Sequence, residues 1–495
     1  MQDLQIKRWR ADTMGSSEQT AMNRILNLLD DNSFVEIGAK VTKRNTDFNL
    51  DGAKVPADGV ITGYGLIDGS IVYVYSQDAT ALGGAIGEMH AKKIVKLYDL
   101  AMKVGVPVIG LVDCAGMRLQ EATDALQAFG TLYASKVMAS GVIPQITAVF
   151  GNCGGGVAVA NALGDFTFME EKNAKVFVNS PNVLDGNYAE KLDTAAAGFQ
   201  AEIGNVDFVE TEDDIYTQIR ELVSLLPANN EDEASLEVCD DDLNRACVAF
   251  DGDMADPRVA IADLSDNGYF MEVKKAYAKN MVVGFIRLNG ASVGVIANAS
   301  AFLDAEGKVV ETFDKVLTTD ACQKATTFVQ FCDAFQIPVL TLTDITGYKS
   351  TVEEEKTIAS AAAKLTYAFA NATVPKINVI IGEAYGSAYL TMNSSHIGAD
   401  FVFALPAAKI GMMDAEQAAK IMYAEEIKQA ADSQAMIAEK TAAYSALQDS
   451  ADSAAARGYV DNIIEGSSVR KQVVYAFEML YTKRDDRPSK KHGTI

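Results

Sequence analysis

The sequence predicts an α/β protein assembled from two copies of one half-chain, on three observations. First, the stretch Ser140 to Ala160, SGVIPQITAVFGNCGGGVAVA, recurs around Ala372 to Met392, ATVPKINVIIGEAYGSAYLTM. Pro144 falls on Pro375, Gly151 on Gly382 and Gly155 on Gly386, without a gap. Second, the same offset of 231 places VPVIGLVDCAG (Val106 to Gly116) on IPVLTLTDITG (Ile337 to Gly347), with Asp113 on Asp344. One offset held over two separate segments is the mark of an internal duplication. Third, near-continuous apolar runs alternate with helical spacing, the pattern of buried strands covered by helices.

The elements follow in order. Residues 18–37 open with Met22, Ile25, Leu28 and Leu29 at helical spacing and stop at Asp30 and Asp31 before a short strand. Gly59 to Ser76 alternates apolar residues around Asp68-Gly69, a hairpin signal, and its twin runs from Gly284 to Ala297 around Asn289-Gly290. There the offset is 221, so the second copy carries about ten extra residues, placed in FLDAEGKVVETFDKVL. A helix comes next in each copy, Glu88 to Val104 and Thr319 to Phe335, and then the strand that ends at Asp113 or Asp344. The acidic stretch Leu226 to Asp253 reads as a linker. This gives a first half over residues 1–230, a linker over 231–255 and a second half over 256–495. The Ala-, Glu-, Lys- and Met-rich run from Asp414 to about Gln448 predicts helices that serve as packing surface, with a homo-oligomer interface among their uses.

Each copy of the repeated stretch is an apolar strand (Ile146 to Phe150; Ile377 to Ile381) running into a loop of small residues and a helix start. Such a loop exposes backbone N–H groups, and glycine lets a ligand approach closely, so an anionic oxygen can be held there without a charged side chain. Two such loops point to two anions.

Composition narrows the function. A net charge of −24, from 67 acidic and 43 basic residues, argues against nucleic acid or an anionic membrane as main partner. No run is long and apolar enough to span a bilayer, and MQDLQIKRWRADTMG has no signal-peptide core, which predicts a cytoplasmic protein. Cysteines 114, 153, 239, 247, 322 and 332 form no C-x-x-C pair, and His90, His396 and His492 lie in no ligand or triad context. No metal site and no side-chain nucleophile is therefore predicted.

The segments NLLDDNSFVEI, SQDATALGGAIGEMHAKKI, SGVIPQI, FCDAFQIPV, ARGYVDNIIE and KKHGTI resemble the carboxyltransferase components of biotin-dependent acyl-CoA carboxylases and decarboxylases, over nearly the whole chain. The likeness is greatest to the methylmalonyl-CoA decarboxylase alpha and propionyl-CoA carboxylase beta branch. It implies a duplicated crotonase-like (ClpP/crotonase) fold, two half-chains each with a β-β-α spiral core. It also implies transfer of a carboxyl group between carboxybiotin and a short acyl-CoA, methylmalonyl-CoA or propionyl-CoA foremost. Carried over by motif, the acyl-CoA hole is Gly116 and Met117 with Gly154, Gly155 and Gly156. The biotin hole is Gly347 and Tyr348 with Gly386, Ser387 and Ala388, and Leu390 takes a position that tunes acyl choice or simply packs in the core. Further implications are a dimer or trimer of dimers, a separate biotin carrier protein, and a biotin carboxylase or a membrane decarboxylase subunit that could hold the chain at a membrane edge.

This chain departs from the family pattern in three places. DCAGMRLQEA (Asp113 to Ala122) puts Met117 at the first hole, and DITGYKST (Asp344 to Thr351) alters the second. NVLDGNYAEKLDTAAAGFQAEIG (Asn182 to Gly204) replaces an E-L-G-G segment. The acyl group therefore stays open. The run Ala101-Met102-Lys103-Val104 mimics a biotinylated motif but ends an amphipathic helix, so Lys103 reads as a surface lysine. Two other readings remain: a biotin-independent crotonase-like enzyme using Glu121 or Glu383, and a non-catalytic scaffold.

Overall fold

The computed structural model describes residues 16–44, 48, 55, 57–187, 191–233, 235–252, 254–304 and 306–495; the N-terminal stretch read above for a signal peptide lies outside them. The chain divides into two compact units, Met1–Glu233 and Ala234–Ile495.

In the first unit a helix, Ser16–Leu28, precedes β1 (Val35–Ile37), β2 (Val60–Ile67) and β3 (Ser70–Gln77). β2 and β3 pair antiparallel across Asp68 and Gly69, both at positive φ (49° and 81°), as a two-residue hairpin turn requires. Then come β4 (Ala85–Ile86), the helix Glu88–Val104, β5 (Val108–Cys114), β6 (Gly116–Met117), the helix Ala122–Ala139 and β7 (Gln145–Gly154). The helix Gly156–Ala162, β8 (Phe166–Glu170), β9 (Lys175–Phe177) and β10 (Phe208–Glu210) complete the frame. The sheet order is β1-β2-β3-β5-β7-β8-β10, with β9 paired to the far end of β7 and a small parallel ladder joining β4 to β6. Strands from β3 onward run parallel, and β5 and β7 are buried along nearly their whole length. Val60, Ile94, Leu97, Phe129 and Val149 pack in one core, each fully buried aliphatic or phenyl side chain contributing roughly 1.5–3 kcal/mol.

The second unit repeats this topology strand for strand. Its strands are β11 (Phe270–Val273), β12 (Met281–Leu288), β13 (Ala291–Asn298), β14 (Ala301–Leu303), β15 (Val309–Thr312), β16 (Val316–Leu317), β17 (Val339–Ile345), β18 (Gly347–Tyr348), β19 (Lys376–Tyr385), β20 (Phe401–Ala404), β21 (Lys409–Gly411) and β22 (Asn462–Ile463). Their order is β11-β12-β13-β17-β19-β20-β22, with β21 on β19 and β16 on β18. Even the register shift recurs, between Val112 and Cys114 in the first unit and between Thr343 and Ile345 in the second. The ten extra residues form the antiparallel ribbon β14–β15.

The segment read as a linker behaves otherwise from residue 235 on. Cys247 and Phe250 are buried in the second core, Leu236 bridges to Ala291, and Arg470 Nε donates to Asp242 O. Beyond β21 the helices Ala415–Met422 and Ser433–Gln448 leave Ile421, Met422 and Leu447 exposed. Among the described residues no helix is long and apolar enough to cross a membrane, and no group of His, Cys, Asp or Glu side chains could hold a metal ion.

Candidate active site

In both units the strand that bulges at the aspartate and its neighbour end in facing loops. Asp113 Oδ1 accepts from Asn152 N (3.2 Å) and Asp344 Oδ1 from Glu383 N (2.8 Å), which ties each first loop to each second. The glycine of each pair is obligatory: a Cβ at Gly151 would lie 2.1 Å from Asp113 Oδ1, and one at Gly382 2.4 Å from Asp344 Oδ1. Lys315 Nζ completes the second pair at 2.8 Å from Asp344. Burial works against its charge, but the bonds and charges of Asp344 and Glu383 together outweigh that and hold its pKa above the usual lysine value.

At the first loop pair, Gly116 and Gly154 bring two backbones together. A Cβ on Gly116 would sit 3.5 Å from Gly154 O, and one on Gly154 would sit 2.9 Å from Ala115 O. Met117 is 41 % exposed. Gly155 holds φ 59° and ψ −124°, which glycine alone adopts readily, and donates its N–H to Phe177 O (2.8 Å). Its N–H is therefore committed to the fold. Gly156 and Val157 follow in the first turn of a seven-residue helix, where N–H groups have no intrahelical acceptor. Tyr133 Oη donates to Gly156 O (2.8 Å) and pins the turn. With so few aligned peptides the helix field is slight, so the loop offers N–H groups rather than a dipole.

At the second loop pair, Gly347 and Tyr348 form β18, and Tyr348 Oη shares a hydrogen bond with Thr391 Oγ1 (3.3 Å). Gly386, at φ 61°, opens the six-residue helix Gly386–Thr391; Ser387 is exposed and Ala388 buried. A cavity of about 350 Å3 adjoins this turn, lined by Ser387, Leu390, His396, Met412, Arg457 and Tyr459 among others. His396 lies against Tyr459 at 4.9 Å between ring centres. Tyr389 also lines the cavity, with a buried hydroxyl that has no hydrogen-bond partner among the described residues and a pKa pushed up to about 12 by burial. Leu390 is 38 % exposed at the cavity wall, so it is not a core residue.

Several groups near the first loops that could act as nucleophile or base are buried or engaged. Burial pushes the Cys114 and Cys153 thiols up to about 12. It lowers His90 to about 3, a ring bonded at Nε2 to the Gln77 amide and at Nδ1 to Asp58 O. Glu121 is buried with both oxygens engaged, one by Arg118 and one by Glu88 N. Lys103 is exposed in the last turn of its helix. The replaced segment at 182–204 closes on itself through Asn187, whose side chain bonds Pro181 O and both backbone groups of Leu192; residues 188–190 lie outside the described set.

The carboxyl transferase domain model matches residues 14–495. The chain belongs to the carboxyl transferase family. It is 40 % identical over 493 residues to the methylmalonyl-CoA decarboxylase subunit alpha of Propionigenium modestum, covering 97 % of this chain and 93 % of that one. It is 42 % identical to a putative propionyl-CoA carboxylase beta chain of Bacillus subtilis, covering 96 % and 93 %. Among solved structures, transcarboxylase 12S, a hexamer with methylmalonyl-coenzyme A bound, superposes with a TM-score of 0.90 at 39 % identity, over 96 % of this chain and 91 % of that one. The duplicated crotonase-like fold expected from the sequence of this family member is the fold observed.

Proposed function

We propose that this chain is the carboxyltransferase component of a biotin-dependent complex, moving a carboxyl group between biotin on a separate carrier protein and a short acyl-CoA, with the methylmalonyl-CoA and propionyl-CoA pair foremost. The observation that carries the reading is the repetition of one loop pair on two equivalent frames, each presenting backbone at glycine. Negative charge develops on the thioester oxygen as the α-carbon gains or loses its carboxyl group. In comparable sites each backbone donor to such an oxygen contributes roughly 3–4 kcal/mol of transition-state stabilisation.

On the acyl side the roles fall to Gly116 and Met117 with Gly154, Gly155 and Gly156. Gly155 acts through its backbone shape, because its N–H is committed to Phe177. On the biotin side they fall to Gly347, Tyr348, Gly386, Ser387 and Ala388. The cavity beside Ser387 fits a compact ring system with both apolar and polar edges: Leu390 and Met412 supply apolar wall, and Ser387, His396 and Arg457 supply polar groups. Bound there, biotin supplies the ureido nitrogen that carries the carboxyl group. Leu390 sets which acyl group is accepted.

Relatives are named as a decarboxylase subunit and as a carboxylase chain, and this reading keeps both directions of flux. A biotin carboxylase partner would drive addition; a membrane decarboxylase partner would drive removal and hold the chain, otherwise cytoplasmic, at the membrane. A homo-oligomer, a dimer or trimer of dimers, is part of the reading. The biotin-independent alternative loses its first candidate, since Glu121 has no free oxygen.

Transfer of label by the purified protein tests this, with free biotin and labelled malonyl-, methylmalonyl-, glutaconyl- and ethylmalonyl-CoA. Biotin-dependent loss of label, fastest from methylmalonyl-CoA, is the expected result. No reaction with any thioester and no binding of CoA esters would overturn the reading in favour of a scaffold.

A further inference from the structure

The duplication supplies an internal control for one feature of the first loop pair. In both units the helix after the hairpin begins beside the small ladder, and its first N–H groups are capped from outside. In the second unit Glu354 Oε2 accepts from Thr319 N (2.8 Å), and Thr318 Oγ1 accepts from Ala321 N (3.2 Å). In the first unit Glu121 Oε2 accepts from the equivalent Glu88 N (2.6 Å), and Asp58 Oδ2 accepts from the equivalent His90 N (2.8 Å). The ladder backbones match too: Arg118 N donates to Ile86 O at 2.9 Å, and Lys349 N donates to Leu317 O at 2.9 Å.

The difference is a buried guanidinium. Arg118 is fully buried; its Nη1 lies 2.7 Å from both Asp58 Oδ1 and Glu121 Oε1, and its Nη2 donates to Ala85 O at 2.9 Å. Its counterpart Lys349 points to the surface and pairs with Asp314. Thr318 occupies the place of Gly87, where a Cβ would lie 2.3 Å from Arg118 Nη1 and 2.3 Å from Glu121 Oε1. The second unit thus builds the same frame with no buried charge at this point. Burying two carboxylates around one guanidinium is a costly way to obtain stability alone, and apolar side chains of similar volume often do as well.

We infer that Arg118 is a positioning residue of the acyl-side loop, tying Gly116 and Met117 by its side chain to β4 and, through Asp58 and Glu121, to the start of the helix Glu88–Val104. The second loop has the backbone ladder, the Tyr348–Thr391 hydrogen bond and surface contacts, and no buried guanidinium at this point. The inference rests on the reading of Gly116 and Met117 as part of the acyl-CoA hole: Arg118 sits directly after them and is itself fully buried, so it acts through them.

The test is Arg118→Lys in the full-length protein, which keeps the cation and loses the fork. Hydrogen–deuterium exchange is followed at residues 114–121, with 345–352 as internal reference. Exchange at 114–121 is expected to rise about ten-fold, the scale of one lost net hydrogen bond, with the reference unchanged. In carboxyl transfer, kcat is expected to fall by roughly 10²-fold with KM for the acyl-CoA within about two-fold, because misplaced donors cost the transition state. Unchanged exchange at 114–121 overturns the inference whether or not the protein transfers carboxyl groups. An equal rise in both peptides shows a general loss of stability and overturns it as well. Absence of transfer in the unsubstituted protein overturns the functional reading while the exchange result still decides the positioning role. If Arg118→Lys does not fold, Glu121→Gln, which keeps the size of the partner, gives the same readout.

Discussion

At the scale of single residues, the first unit carries a pH-sensitive group away from the reacting atoms. His90 is buried and its pKa is lowered to about 3, by burial first and then by Arg118 and Lys93. The folded state holds the ring neutral, whereas the unfolded chain protonates it near the ordinary value of about 6.5. The stability this contributes is fully present above pH 6.5 and is lost as pH falls toward 3, at about 1.4 kcal/mol per pH unit. Between pH 6.5 and 5, urea unfolding of the unsubstituted protein is therefore expected to lose stability more steeply than that of His90→Gln; equal slopes would refute the assignment. No sequence signal marked this histidine, because Gln77, Asp58 and Arg118 are brought to it from separate elements. The same distance hid the fate of Gly155: its acceptor, Phe177 O, belongs to β9, a three-residue strand that carries no sequence signal of its own.

At the scale of elements, the repeated aspartate and glycine explain each other. Spacing alone aligned Asp113 with Asp344 and Gly151 with Gly382; the structure shows each glycine facing the aspartate of the neighbouring strand. Gly151→Ala and Gly382→Ala are both expected to destabilise the protein by about 1–3 kcal/mol, as overpacking of a tight contact does. A Cβ at Gly347 meets nothing within 4 Å, so Gly347→Ala should unfold close to the unsubstituted protein in the same thermal scan. Strands, hairpins and the first helix were legible because their signals are local: apolar runs, Asp-Gly and Asn-Gly turns, and periods of two or 3.6 residues. Leu390 was open from sequence, since an apolar residue in a small-residue helix reads the same whether it faces core or cavity.

For the whole molecule, the single offset of 231 was enough to foretell two units with one topology, and the ten-residue surplus was placed within the ribbon that now holds it. The stretch around 235–252 was less legible. Its acidic composition masked two core residues, Cys247 and Phe250, that have no periodic neighbours to announce them. The exposed Ile421, Met422 and Leu447 on the late helices suit the proposed assembly of copies. Light scattering is expected to give about six times the 53.0 kDa chain mass, as in the hexameric 12S structure, and a monomer mass at working concentration would rule that assembly out. The ribbon itself is anchored by Phe302 beneath Arg258, 5.0 Å from ring centre to guanidinium, while every residue of β15 faces solvent. Since the other copy closes the same frame without it, the ribbon records a length change made after the ancestral gene doubled. It shows that this segment could change in length without disturbing the strands, helices and loops that the two copies still share.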